Sequence, residues 1–224
     1  MKWNLMTVGN PNSGKTSLFN ALTGANQQVG NWSGVTVDKK SGHFAVGDDE
    51  YQLMDLPGIY ALESRDSSID EQIAFRYAMT HKPDLVINVI DATALERSLL
   101  LTLQLRELGL PVLVVLNKYD VVRKRRQSIE IEALSQVLGC PVVALSAYNR
   151  KEILLLKQQL PQLIAQSSGA PLALDYGATI EAAVAELAPQ VQHPHLAPRG
   201  CALRLLEGDP LLDEIGRASC RERV

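Results

Sequence analysis

The chain has 224 residues, 22 Lys plus Arg against 25 Asp plus Glu and a formal net charge of −3, and 46% of it is hydrophobic. That length holds one large domain, or one domain with a small appendage, and the apolar share suffices for a packed core. The near-neutral balance argues against a dedicated nucleic-acid binder, and the sparse cysteines Cys140, Cys201 and Cys220 argue against a disulfide framework or a zinc site and read as buried or neutral thiols.

The N-terminus runs almost at once into a strand at Leu5-Met6-Thr7-Val8, which leaves no room for a signal peptide. The longest apolar runs, such as Leu110–Leu116, are strand-sized and far short of a membrane span, so a soluble chain is expected. The next eight residues, Gly9-Asn10-Pro11-Asn12-Ser13-Gly14-Lys15-Thr16, fit G-x-x-x-x-G-K-[ST] at every fixed position, and Thr16 to Leu22 reads as a helix. A glycine-rich turn between strand and helix lets successive N–H groups wrap a phosphate chain, and the helix N-terminus adds partial positive charge. Lys15 then reaches the outer phosphates and the Thr16 hydroxyl holds Mg²⁺, with Ser17 in the same binding set. The plain alternative is a Gly-rich strand–loop–helix turn.

Val29-Gly30-Asn31-Trp32-Ser33-Gly34-Val35-Thr36-Val37 reads as a mobile loop. Thr36 would give its hydroxyl to Mg²⁺ and its N–H to a γ-phosphate, with Gly34 and Val35 beside it. The alternative is a surface loop with a buried Trp32. Val37–Val46 and Tyr51–Met54 flank Gly47-Asp48-Asp49-Glu50 and read as a hairpin, which puts one antiparallel strand at the sheet edge. Asp55-Leu56-Pro57-Gly58 comes next. Asp55 supplies a carboxylate near the metal and the Gly58 N–H bonds the γ-phosphate; taken alone, the four residues also fit a simple turn. Asp70-Glu71-Gln72 opens a helix with charge that suits its N-terminus.

Leu85–Asp91 is a strand, Leu95 to Leu108 a helix, Val112–Asn117 a strand, Ile129 to Leu138 a helix, Val142–Leu145 a strand and Glu152 to Gln166 a helix. Continuous apolar strands separated by helices imply a parallel sheet covered on both faces, and right-handed crossovers make it doubly wound. Asn117-Lys118-Tyr119-Asp120 stands at a strand end. The Asp120 carboxylate can accept from the guanine ring N–H and exocyclic amine together, a donor pair that adenine lacks, and polar pairing of this kind discriminates by roughly 10⁴–10⁵. Lys118 can lie flat over the base, and Asn117 can tie this loop to the phosphate loop. Ser146-Ala147-Tyr148 follows the last strand and can offer a backbone N–H to guanine O6. The cluster Arg123-Lys124-Arg125-Arg126 reads as a solvated helix face, or as a contact for anionic lipid or an acidic partner. His193 and His195 read as a chance loop pair.

Ser167 to Pro171 is a linker. Thr179–Leu187 is helical, Pro189, Pro194 and Pro198 interrupt the next stretch, and Ala202–Glu207 is a short helix. Residues 1–167 thus form a nucleotide-binding G domain and 168–216 a small all-helical domain. The tail, 217–224, has no amphipathic pattern and reads as disordered or as an appended scar.

The ordered set GNPNSGKT, VGNWSGVTV, DLPG, NKYD and SAY resembles the GTPases of the Ras-like superfamily. VGNWSGVTV with DLPGIYAL, Asp70-Glu71-Gln72 and Leu206-Glu207-Gly208-Asp209 is similar to the N-terminal cytosolic region of the prokaryotic ferrous-iron transporter family FeoB, over nearly the whole chain to Asp209. The resemblance implies an α/β fold: a Ras-like P-loop GTPase domain on a mostly parallel doubly wound sheet, then a helical, dissociation-inhibitor-like domain. It also implies a polytopic permease domain further along in cis, small accessory iron-transport proteins and a homo-oligomer as partners, GTP/GDP and Mg²⁺ as ligands, and a place on the cytoplasmic face of the inner membrane. Lys118 stands where the family often has Met, which moves the chain toward the general GTPase pattern. Ile59 occupies the position where many small GTPases carry a water-orienting Gln, the first loop lacks an Arg, and the nearest in the second is Arg65. Slow intrinsic turnover follows, since an arginine finger is worth roughly 10³–10⁵ in rate. Relatives with Asn at the position of Asn12 use K⁺ instead, which implicates Asn12 with backbone oxygens of Gly30 and Trp32, alongside Lys15, Thr36 and Gly58, in hydrolysis. Two other readings stay open: a soluble K⁺-dependent GTPase of ribosome assembly or tRNA modification, and a P-loop ATPase or small-molecule kinase.

Overall fold

The run Leu85-Val86-Ile87-Asn88-Val89-Ile90 is buried at every residue, which requires cover on both faces of its strand. The computed structural model, which describes residues 1–32, 38–62, 69–167 and 169–208, supplies that cover. The order is β1 (Lys2–Gly9), α1 (Lys15–Thr23), β2 (Gln27–Asn31), β3 (Asp38–Val46), β4 (Asp49–Asp55), α2 (Ile69–Thr80), β5 (Leu85–Asp91), α3 (Leu95–Glu107), β6 (Val112–Asn117), α4 (Tyr119–Lys124), α5 (Ile131–Leu138), β7 (Val142–Ala144), α6 (Arg150–Gln166), α7 (Ala178–Leu187) and α8 (Pro198–Leu206).

The strands lie side by side as β2-β3-β4-β1-β5-β6-β7. β1 pairs with β4 and β5, β5 with β6 and β6 with β7, all parallel, while β3 runs antiparallel to β4. The expected mostly parallel, doubly wound sheet with an antiparallel edge is present. One side of the sheet packs Leu5, Leu53, Ile87, Val89, Leu113 and Val115 against Leu18, Phe19 and Leu22 of α1 and Leu156 and Leu160 of α6. The other side packs Met6, Val8, Val86, Ile90, Val114 and Leu116 against Leu101, Leu105 and Leu108 at the α3 side and Leu138 of α5. Each fully buried aliphatic side chain contributes about 1.5–3 kcal/mol. Alternation along the strands therefore welds helices to both faces and leaves the strand C-termini free for loops.

Three local readings change. The hairpin turn is shorter than expected: Val46 pairs with Asp49, so only Gly47-Asp48 link the strands. A further strand, β2, pairs antiparallel with β3 from Gln27↔Gly42 to Asn31↔Asp38, so Val29, Gly30 and Asn31, read as loop, are strand residues. The last helix begins at Pro198, read as an interruption; at the first helical position proline forfeits only an N–H that had no partner in the helix.

The helices after residue 169 lean on α3. The Ala197 N–H donates to Leu108 O at 2.9 Å, and Gly200 lies so close that a Cβ there would stand 2.3 Å from Glu107 O. α7 and α8 share a small buried cluster of Val184, Ala202 and Leu203, whereas Leu196 and Cys201 join the main core. Burial pushes both the Cys140 and the Cys201 thiol up to about 11, so they are neutral and buried, and Cys220 lies outside the described residues. Among the described residues no helix is long and apolar enough to cross a membrane.

Candidate functional site

The phosphate-loop sequence bends between β1 and α1 at the C-terminal edge of the sheet. The Ser13 N–H donates to Asn10 O at 3.1 Å, and Asn10 Nδ2 donates to Arg97 O at 3.2 Å, which closes the turn against α3. Asn12 and Gly14 take positive φ, 65° and 86°. Gly14 has no alternative: a Cβ would stand 2.1 Å from Asn117 Nδ2. The free amides at the start of α1 point into this turn, as at any helix N-terminus. Thr16 is exposed there, while Lys15 and Ser17 are half-buried.

Asp55 ends β4, the strand beside β1, with its side chain 6% exposed. It accepts from Lys15 Nζ at 2.5 Å and from Thr7 Oγ1 at 2.7 Å, both on Oδ1. The following residues are stitched to the phosphate loop: the Leu56 N–H donates to Thr7 O at 3.0 Å and the Ile59 N–H to Gly9 O at 3.1 Å. A Cβ at Gly58 would stand 3.4 Å from the Pro11 backbone. Leu56 and Ile59 are buried, so the D-x-P-G turn is anchored by apolar side chains on either side of Pro57 and Gly58.

Asn117 is the hub. Buried at the end of β6, it donates through Nδ2 to Ser13 O at 2.9 Å and accepts through Oδ1 from the Ala147 N–H at 2.9 Å. One side chain thereby holds the phosphate loop, the N-K-x-D loop and the Ser146-Ala147-Tyr148 loop together. Lys118, with φ 59°, donates to Asn12 O and to Asp91 Oδ2, both at 2.7 Å. Asp120 is half-buried in the first turn of α4, with Lys124 at 3.5 Å. The Ser146 N–H donates to Glu152 Oε2 at 2.7 Å, and Arg123 meets the other oxygen of Glu152 at 2.9 Å. Tyr148 is 85% exposed, its hydroxyl 3.4 Å from Ser17 Oγ.

Gly34, Val35 and Thr36 lie outside the described residues, as do Arg65 and the side chains of Asp70 and Glu71. Gly30 sits opposite Lys39 in the β2–β3 ladder. Trp32 is half-buried, edge-on to Tyr77 of α2 with ring centroids 5.0 Å apart, and Lys39 Nζ stands 5.1 Å from its ring. His193 and His195 meet edge to face, but no three metal-ligating side chains come together among the described residues. Of the basic cluster, Arg123 is drawn into the site's support by Glu152 and stacks on Tyr119 at 5.1 Å.

No sequence motif marks Asp91. It ends β5, caps the short turn after it by accepting from the Thr93 N–H and hydroxyl at 2.9 and 2.7 Å, and fixes Lys118. Burial raises its affinity for a proton, but the bonds from Lys118 and Thr93 outweigh that and hold the carboxyl below its ordinary range. The signal was an acidic residue at a strand's C-terminal end followed by Ala-Thr.

Residues 3–160 match the N-terminal family model of ferrous iron transport protein B. The FeoB Fe(2+) transporter of Salmonella choleraesuis is 46% identical over 210 residues, 90% of this chain and 26% of that protein. The Escherichia coli K12 transporter is 54% identical over 152 residues. The matched part of this chain thus spans 26% of the first relative's length and 20% of the second's. The cytosolic domain of the T. maritima FeoB iron transporter, solved in apo and GMPPNP forms, superposes with a TM-score of 0.88 at 36% and 37% identity; the apo comparison covers 97% of this chain and 86% of that one. The cytosolic domain of L. pneumophila FeoB gives 0.83 at 42% identity, covering 96% and 93%. The fold is that of a Ras-like P-loop GTPase domain, and the chain belongs to the FeoB family of ferrous-iron transport proteins, whose N-terminal region it represents.

Proposed function

We propose that this chain is a GTP-binding, GTP-hydrolysing switch region that regulates or drives Fe²⁺ uptake through a permease domain in cis, at the cytoplasmic face of the membrane. The observation that carries the reading is the Asn117 bridge from Ser13 O to the Ala147 N–H, which joins a phosphate cradle to a base-reading carboxylate, Asp120. The T. maritima relative, solved in GMPPNP and GDP forms, supports the same ligand class.

The triphosphate lies along residues 9–17. Its outer oxygens compete with Asp55 for Lys15, and the Asp55 carboxylate with the Thr16 and Thr36 hydroxyls would hold Mg²⁺. These are hard oxygen donors, the kind Mg²⁺ prefers, and the metal when bound neutralises charge on the phosphates. The Gly58 N–H bonds the γ-phosphate. Asp120 accepts from guanine, and O6 competes with Asn117 Oδ1 for the Ala147 N–H. Asn12, with the Gly30 and Trp32 carbonyls, would hold K⁺, which would supply the positive charge of an arginine finger. Residues 1–167 form the G domain, 168–216 the helical domain and 217–224 a separate tail. The soluble ribosome-assembly or tRNA-modification GTPase is not favoured, because the relatives above are iron transporters by name.

Calorimetry with GDP and with the GTP analogue GMPPNP in Mg²⁺ tests the reading, with ATP as competitor. Guanine nucleotides should release heat and ATP should compete at least about 10³-fold more weakly. Equal competition by ATP would remove Asp120 as the base reader. GTP turnover in K⁺ should exceed that in Na⁺ at equal ionic strength, and Asn12→Ala should abolish the difference. Equal rates in both salts would eliminate the K⁺ assignment.

A further inference from the structure

Tyr148 is an aromatic side chain 85% exposed on a tightly held loop. The Ala147 N–H is bound by Asn117 Oδ1, the Ser146 N–H by Glu152 Oε2, and the Asn149 N–H donates to Ser146 O at 2.8 Å. The ring packs in no hydrophobic cluster. Its phenol instead reaches the first turn of α1, 3.4 Å from Ser17 Oγ, one residue past Thr16 of the phosphate-binding motif. Lys118 is fastened by its Nζ to Asn12 O and Asp91, so its aliphatic stem runs along the other end of the same loop cluster. Lys118 follows Asn117 and Tyr148 follows Ala147, and Asn117 and Ala147 are joined at 2.9 Å, so both side chains leave from one junction of the two loops. A planar base whose edge is read by Asp120 and Ala147 has its two faces left to be covered.

We propose that Tyr148 is the second wall of the purine slot: its ring stacks on one face of the base and the Lys118 stem covers the other. This rests on the guanine-nucleotide reading above and names a residue that sets its affinity. Stacking accepts any base because every base has a π-face, so Tyr148 contributes affinity without choosing guanine. That choice stays with Asp120. The phenol rests on Ser17 until the base enters and covers it.

The test is calorimetry on the wild type, Tyr148→Ala and Tyr148→Phe with GDP, with inosine diphosphate and with inorganic tripolyphosphate, all in Mg²⁺. Tyr148→Ala should weaken GDP and inosine diphosphate by the same factor, roughly 5- to 150-fold from the worth of base stacking. Tripolyphosphate affinity should not move, which shows an intact phosphate loop, and Tyr148→Phe should bind GDP within about twofold of wild type. GDP affinity unchanged in Tyr148→Ala would overturn the proposal. So would a Phe variant as weak as the Ala variant, since the hydroxyl and not the ring would then matter. A wild type that binds tripolyphosphate and no GDP would instead sink the guanine reading, and the stack with it.

Discussion

A methyl group at residue 14 has nowhere to go. Its carbon would stand 2.1 Å from Asn117 Nδ2, on backbone at φ 86°. Gly14→Ala must therefore push Asn117 off Ser13 O and loosen its grip on Ala147, which separates the phosphate cradle from the base loop. Guanine-nucleotide affinity should fall by at least about 30-fold, with strained backbone and a broken buried hydrogen bond each worth roughly 1–3 kcal/mol; equilibrium titration with GDP checks it. Sequence reading found Gly14 and Asn117 because both belong to spaced motifs whose chemistry requires those residue types. Asp91 belongs to no such motif. Its role comes from Lys118, 27 residues away, and exists only once β5 and β6 are aligned with Asp91 opposite Asn117.

Elements were legible in proportion to burial. β5 and β6 match the apolar runs residue for residue because both faces of each strand are covered. β2 is Gln-Gln-Val-Gly-Asn, exposed along nearly its whole length, and only its backbone pairing with β3 makes it a strand. Six-residue α4 is too short to carry a periodic pattern. Arg106, near the end of α3, shows how elements far apart in sequence are clasped. It is buried, and its guanidinium donates to Leu110 O at 3.1 Å, Leu138 O at 3.3 Å, Gly139 O at 3.0 Å and Ala170 O at 2.7 Å. It thus ties α3 to the end of α5 and to the segment leading into α7. Arg106→Met keeps the bulk and strands those carbonyls. It should destabilise the protein by about 3 kcal/mol, lowering the thermal midpoint by roughly 6–12 °C, which a melting scan measures.

At the scale of the whole molecule, the helical appendage has a small interior of its own and draws its order from contact with α3 and from ion pairs. Arg199 meets Glu181 through two bonds of 2.6 and 2.8 Å, and the Tyr176 N–H adds a third at 3.1 Å. These bonds, the Arg199 pair foremost, hold the Glu181 carboxyl down to about 2. Because the folded value lies below the unfolded one, the stabilisation is complete above the ordinary glutamate range near 4.3 and is lost as pH falls toward 2. The stability gap between wild type and Glu181→Gln, read by urea unfolding across that window, should close as the solution becomes more acid. The aromatic contact at the other end of the sheet has an optical consequence. The chain has two tryptophans, and Trp32 sits edge-on to Tyr77 where the first loop meets α2, whereas Trp3 lies in β1. With Trp3 replaced by Phe, Trp32 would be the single tryptophan, and with excitation at the red edge, where tyrosine does not absorb, any rearrangement at that junction would show as a colour shift with no dye attached.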